Sequence, residues 1–278
     1  MSFVLDKNGE YLPVFGETSG GGGGGGTTDH AQLSNLDYTN SGHTGFMSNA
    51  NYIAGGTTYN LKADGTGDFA TLANALSFLE GKWSDGVVNF QLAAGTYTTE
   101  RLTLYGRRFN IPRVRIYGAD ADSTIVQFIN QEESYSCFWG LDKGLELVIQ
   151  NITFQNTSGT KNTNYFGIQA EQGARIFVSN FKSIGLARAF FAFNSSLINF
   201  GGNITIQDSY TAICSMAANI AGAYGTITLN NCNNGFWVQY GGMINLIDCT
   251  TTYTSVNQKA NETIGTATSK GYITGVTV

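Results

Sequence analysis

The sequence predicts an all-β protein folded as a right-handed parallel β-helix, with an N-terminal capping helix and a small N-terminal attachment region. Charged residues make up only 13% of the 278 residues, which is too few for a solvated helical protein. Aromatic residues reach 13%, which excludes a disordered chain. A weak repeat of short strands beyond residue 140 then selects the solenoid among the all-β folds.

The N-terminal 60 residues change composition abruptly. Residues 1–19 form the expected attachment segment, in which 3–5 and 11–15 predict a hairpin around the Lys-Asn-Gly turn at 7–9. The seven glycines of 20–26 predict a flexible tether, because such a run has maximal backbone entropy and no side chains to pack. Residues 27–60 are assigned to a trimerisation or linker segment.

The linker contains the only two histidines of the chain, His30 and His43. They lie in DHAQLSNLDY (29–38) and SGHTGF (41–46). These stretches resemble a segment of tail-fibre and baseplate-periphery proteins of tailed bacteriophages, in which Asp-His-x-x-Leu-x-x-Leu and Gly-His-x-Gly-Phe occur together. The resemblance implies a homotrimer. Its histidines are expected to form hydrogen bonds, a metal ion on the three-fold axis being the less favoured alternative, so no metal site is assigned.

Residues 61–86 are expected to form a capping region around one amphipathic helix. Leu72, Leu76 and Leu79 recur at helical spacing within 70–81, with Asp68 as the predicted N-cap and Gly81 as the predicted stop. Because a solenoid end exposes unpaired strand edges and an open core, we expect this helix to cover the N-terminal end.

Residues 87–255 are assigned to the β-helix by five copies of the pattern apolar, any, apolar, any, Asn or Asp, which begin at residues 147, 176, 204, 227 and 244. Strands of period two without intervening helices are typical of coils that stack at about 4.8 Å. We expect Cys232 and Cys249 to stack inside the core, and 256–278 to be either a last strand or a trimer clasp. The five polar positions are predicted to stack as a structural ladder: Asn151, Asn180, Asp208, Asn231 and Asp248.

Four further stretches concern activity: DGTGDFATL (64–72), GTY (95–97), NITFQNTSG (151–159) and QA (169–170). They resemble the pectin-lyase-like superfamily of β-helices, and pectin methylesterases in particular, from about residue 63 to 201. In that family two carboxylates act beside an arginine. Arg188 and Leu197 stand at the two matching carboxylate positions. The resemblance therefore implies the fold, and we expect no esterase activity.

Aromatic side chains are the better candidates for binding, because exposed rings suit the C–H faces of sugars. Most aromatic residues are nevertheless expected to fill the core or a subunit interface. The glycan-binding candidates are Tyr135, Trp139, Tyr165, Trp237 and Tyr240.

The formal net charge of −5 offers no basic patch for nucleic acid or anionic lipid. No signal peptide or membrane-spanning stretch is visible, so we expect no membrane insertion. The four cysteines are widely spaced, form no Cys-x-x-Cys pair and are interpreted as buried apolar residues. No cofactor is expected.

These features together predict a structural virion protein of a tailed bacteriophage, assembled in the host cytoplasm. As a tail fibre or tailspike-like appendage, it would attach to other tail or baseplate proteins through its N-terminus. Its β-helix would bind host surface glycan or another receptor. Two alternatives are a tailspike depolymerase, either hydrolase or lyase, and a free enzyme of the pectin methylesterase type. The sequence leaves open whether the appendage belongs to the tail, the baseplate or the head.

Overall fold

A computed structural model describes residues 2–5, 11–14, 49–129, 136–142, 144–157, 166–247, 249–262 and 272–275. The chain divides into two compact units, Met1–Ser48 and Asn49–Val278. In the first unit, β1 (Ser2–Leu5) and β2 (Tyr11–Val14) pair antiparallel, which confirms the predicted hairpin. The glycine tether, His30 and His43 lie outside the described residues.

The second unit begins with a 3₁₀ turn, Asn49–Asn51, followed by β3 (Tyr52–Ile53) and β4 (Thr58–Leu61). Strand β4 pairs with β6 (Val87–Leu92), so the solenoid begins within the segment that the sequence assigned to a linker. Between them lie α1 (Leu72–Ser77) and β5 (Trp83–Ser84), and β5 pairs with β3.

The later elements follow in chain order, and a 3₁₀ turn, Gly106–Arg108, stands between β8 and β9. They are β7 (Gly95–Thr99), β8 (Leu102–Tyr105), β9 (Arg113–Gly118), β10 (Thr124–Phe128), β11 (Ser136–Leu141), β12 (Glu146–Asn156), β13 (Phe166–Glu171), β14 (Arg175–Ile184), β15 (Arg188–Phe193), β16 (Leu197–Gln207), β17 (Thr211–Met216), β18 (Asn219–Asn230), β19 (Asn234–Gln239), β20 (Met243–Asn245), β21 (Cys249–Thr254), β22 (Gln258–Glu262) and β23 (Tyr272–Thr274).

These strands form a parallel β-solenoid of about six turns, which confirms the predicted β-helix. The four long strands β12, β14, β16 and β18 each turn a corner and so contribute to two faces. The first face contains β4, β6, β9, the first halves of the long strands, β20 and β23; the second contains β7, β10, the second halves and β21. The third face is the sheet β8-β11-β13-β15-β17-β19-β22.

Glycine or asparagine occupies the corner of each long strand, in the left-handed region of φ. Asn151 and Asn180 have φ of 56° and 47°, and Gly202 and Gly225 have φ of 66° and 116°. Asparagine and glycine tolerate this region best, because the asparagine side chain bonds locally and glycine has no Cβ. The corners thus explain much of the glycine and asparagine content.

The structure divides the predicted ladder into two. Asn180 donates from Nδ2 to Oδ1 of Asn151 at 3.2 Å at the corner between the first and second faces. Asn231 donates to Asp208 at 2.6 Å at the end of the second face. The five polar positions were predicted to form one ladder because both halves of a long strand show alternating apolar residues. The sequence pattern therefore matches either half. Asp248 lies outside the described residues.

The prediction that Cys232 and Cys249 stack in the core is wrong for the same reason. Residue 249 pairs with Gly225, whereas Cys232 follows β18 beyond Asn230, so the two sulfurs do not stack. In-register residues of the first face are 147, 176, 198, 220 and 244, which gives coils of 29, 22, 22 and 24 residues.

The capping helix exists but is shorter than predicted. Its N-cap is Thr71, whose Oγ1 accepts from the Asn74 backbone N–H at 3.2 Å. Asp68 instead accepts from the Asn60 N–H at 2.7 Å, which holds the preceding loop against β4. Leu72 and Leu79 are buried in the same core cluster as the strands, so the helix contributes to the N-terminal end of the core as expected.

The solenoid core is continuous between its faces. Phe154 meets Phe128 and Phe181 edge to face at 5.2 and 5.0 Å, and Phe190 meets Phe200 at 4.6 Å. Burying each ring contributes about 1.5–3 kcal/mol. At the other end β22 extends the third face and β23 the first, so the described part of 256–278 consists of further strands of the solenoid. Among the described residues no helix is long and apolar enough to cross a membrane.

Candidate glycan-binding surface

The outward side of the third face carries a row of aromatic and polar residues in register across five strands. Their inward neighbours are fully buried, and successive side chains of a strand point to opposite sides, so this row faces outward. We call it the third-face strip. It consists of Trp139, Gln169, Phe191, Cys214 and Trp237. The two tryptophans at its ends are half-buried, and the three residues between them are buried.

One end of the strip is organised by Trp139. The guanidinium of Arg101 lies 4.3 Å from the centre of the Trp139 ring. The indole Nε1–H donates to Oε2 of Glu171 at 3.0 Å, and the Gln169 amide donates to the same oxygen at 3.2 Å. Asn194 donates to the other carboxylate oxygen at 3.4 Å. The Trp139 ring is therefore held by the Arg101 guanidinium and the Glu171 carboxylate. Both carboxylate oxygens of Glu171 accept hydrogen bonds.

The middle and far end are organised by Arg188, the first residue of β15. Its guanidinium carbon lies 4.7 Å from the ring centre of Phe166, 4.9 Å from that of Phe191 and 5.3 Å from that of Trp237. Phe166 and Phe191 meet edge to face at 5.5 Å. Three rings of two types thus surround one cation that is itself half-buried.

Cys214 lies beneath this arginine and is fully buried. Burial raises the pKa of its thiol to about 11, although the positive charge of Arg188 acts in the opposite direction. The thiol therefore stays protonated at neutral pH and is not a nucleophile. No disulfide joins the four cysteines, all of which lie among the described residues; Cys137, Cys214 and Cys232 are buried as predicted, and Cys249 is half-buried.

A second surface, which the sequence interpretation missed, lies on the first face. It is a groove of about 330 Å³ whose floor includes Val148, Phe177 and Ala221. Tyr224 forms one wall and is 67% exposed, with its ring over Gly201. Asn199 lines the same groove. Apolar floor, aromatic wall and amide are also compatible with a sugar ring.

The structure separates several residues that the sequence grouped. Tyr240 is 54% exposed but lies at the corner after β19, outside the strip. Tyr135 and Tyr165 lie outside the described residues. Arg188 is on the third face and Leu197 on the first, so the two positions matched to the esterase carboxylates do not share a surface.

Only weak patterns in the sequence mark Arg188 and Tyr224 as residues of a binding surface. Arg188 begins an otherwise apolar strand, RAFFAF, which marks it as an outward residue of unusual placement. Tyr224 precedes a corner glycine in AGAYGTI, where a large side chain at a turn predicts exposure. Neither pattern indicates which face of a solenoid a residue occupies, because that depends on the length of each corner.

Over the described part of the chain, no group of three or more His, Cys, Asp or Glu side chains could hold a metal ion. No protein-family model matches the chain. None of the curated proteins matches it either. Among solved structures, a pectin methylesterase from carrot is similar, with a TM-score of 0.45 and 13% identity, over 79% of this chain and 83% of that chain.

Proposed function

We propose that the protein is a glycan-binding fibre component of a tailed bacteriophage, which contacts a host surface polysaccharide through the third-face strip. The observation that carries the proposal is the in-register position of Trp139 and Trp237. They stand four strand steps apart, about 19 Å, along a straight face. Such spacing suits an extended chain of sugars that stacks on both rings.

The acidic residues of the third face favour binding over cleavage. Glycoside hydrolysis uses two carboxyl groups about 5 to 9.5 Å apart. Among the third-face strand residues whose side chains are described, the one acid is Glu171 in β13. Glu171 is in addition held by three side-chain donors. The depolymerase alternative remains as an outcome of the test.

The test is binding of the full chain to an array of bacterial capsular polysaccharides and lipopolysaccharides. We expect binding to at least one glycan, and losses of tenfold or more in Trp139→Ala and Trp237→Ala. Trp83→Ala, which removes a tryptophan from β5 at the capped end, is the matched control and should bind as the wild type does. Absence of binding to every glycan would contradict the proposal, and new reducing ends or unsaturated uronates would establish the depolymerase instead.

The virion assignment rests on the glycine tether and the fibre-like segment, and it is tested separately. Light scattering should give three times the 29.8 kDa chain mass, and a monomer at micromolar concentration would contradict the homotrimer. Antibody against the chain should label the tail, baseplate or head of assembled virions in electron micrographs. Virions without label would contradict the attachment.

A further inference from the structure

Arg188, the cation beside the third-face strip, forms no ion pair with any residue that the structure describes. Among the described residues, the ion pairs join Arg107 to Asp142, Arg108 to Glu80, Arg113 to Glu146 and Lys182 to Asp122. Arg188 is in none of them. Its contacts are the three rings, and Glu171, the acid of the same face, is engaged by Trp139, Gln169 and Asn194.

A half-buried guanidinium without a paired anion is unfavourable unless a bound ligand compensates for its lost hydration. A half-buried guanidinium loses part of its hydration, and cation–π contacts offset that loss only in part. No side-chain hydrogen bond joins its N–H groups to another described residue, and a guanidinium carries five donors in a rigid fork. The fork matches two oxygens of a carboxylate or phosphate, and because the rings already hold it, little entropy is lost on binding.

We propose that Arg188 is an anion-recognition residue, and that the glycan bound on the third-face strip carries a carboxylate or phosphate group that pairs with its guanidinium. This inference rests on the proposed function and specifies its ligand. Trp237 lies beside the cation and is half-buried, so a sugar unit whose acidic group reaches Arg188 has ring surface to contact. The formal charge of −5 on the whole chain means that affinity for a polyanion has to come from such a local site.

The experiment uses two matched pairs of probes, so that the source of the negative charge is distinguished. The first pair is an alginate oligosaccharide and the same material with its carboxyl groups reduced to alcohols. The second pair is phosphorylated dextran and dextran. We expect the wild type to bind one charged probe at least tenfold more tightly than its uncharged counterpart, with affinity that falls as salt rises.

Two variants assign that preference to the residue. Arg188→Gln should reduce binding of the charged probe at least tenfold and leave the uncharged probe unchanged. Arg175→Gln makes the same charge change at an exposed position on the first face and should change binding less than twofold. Arg188→Lys keeps the charge without the fork and should fall between wild type and Arg188→Gln. It also serves if the glutamine variant does not fold.

The proposal is overturned if the wild type distinguishes neither pair, if Arg188→Gln binds as the wild type does, or if Arg175→Gln loses as much affinity. These outcomes are separable from failure of the proposed function. A neutral glycan bound through Trp139 and Trp237 but unaffected at Arg188 would contradict only the anion site. Absence of binding to any glycan would contradict both.

Discussion

Asn180 shows how one residue can hold two coils together and also permit the corner between them. Its φ is 47°, its Nδ2 donates to Asn151 at 3.2 Å, and its Oδ1 accepts from the Asn203 backbone N–H at 3.1 Å. Asparagine is one of few residues that combine tolerance of this φ with a side chain able to reach both neighbouring coils. The residue therefore contributes through backbone conformation and through hydrogen bonds, which substitution can separate.

We expect Asn180→Ala to lower the free energy of unfolding by about 2 kcal/mol, because alanine is strained at this φ and makes neither bond. Asn180→Gly should cost about 1 kcal/mol, because it loses the bonds but not the conformation. Asn203→Ala, which keeps the backbone N–H, should stay within about 0.5 kcal/mol of wild type. Urea denaturation measures all three, and equal losses for alanine and glycine at 180 would show that the φ angle contributes nothing.

At the scale of elements, the corners determine how closely consecutive long strands approach. Gly225 of β18 pairs with Gly202 of β16, and a Cβ on Gly225 would lie 1.9 Å from the Gly202 carbonyl oxygen. The obstacle is backbone rather than a flexible side chain. The two coils can therefore approach this closely at the corner only if residue 225 is glycine.

Gly225→Ala is expected to destabilise the protein by about 3 kcal/mol or more, since overlap with the backbone adds to the strain of a positive φ. Gly144→Ala is the matched control: its φ is 92°, and no atom lies within 4 Å of the added Cβ. It should cost about 1 kcal/mol from conformation alone. Equal urea midpoints for the two variants would contradict the overlap as the cause.

The sequence predicted the elements better than it predicted their register. Period-two strands, the hairpin and the Leu72, Leu76 and Leu79 stripe are local patterns, and each is confirmed. The division of the ladder was missed, because a strand that turns a corner carries the same alternation on both faces. The predicted N-cap was Asp68 rather than Thr71, since two capping residues stand three positions apart and the aspartate instead accepts a hydrogen bond from the Asn60 backbone.

The candidate surface was predicted only in part, for the same physical reason. Trp139 and Trp237 were identified by residue type, and the structure brings them onto one row. Arg188 was noted for the carboxylate that it replaces, whereas its position among three rings depends on which residues of three different strands align. Tyr224 was missed, because it follows an extra residue in its own strand, where the register shifts opposite Phe200 and Gly201 of the neighbouring strand.

At the scale of the whole molecule, the narrow solenoid buries thiols that titrate at alkaline pH. Burial raises the pKa of Cys214 from 9.0 to about 11 and shifts the pKa of Cys137 in the same direction. A raised folded-state pKa gives stability that is complete below the unfolded value and is lost as pH rises towards the folded value. For Cys214 the window is therefore pH 9 to 11, and the two units correspond to about 3 kcal/mol.

We expect the free energy of unfolding, measured in urea with a reducing agent, to fall by several kcal/mol between pH 8 and pH 10.5. In the double variant Cys137→Ala and Cys214→Ala, the protein should be less stable at pH 8, because cavities replace the sulfurs, but its loss between the two pH values should be smaller by about 3 kcal/mol or more. Cys249→Ala, at a half-buried position, should keep the wild-type pH dependence. If the double variant lost as much stability as the wild type, the alkaline transition would have to come from tyrosines such as Tyr253, whose pKa burial raises to about 12, rather than from the thiols.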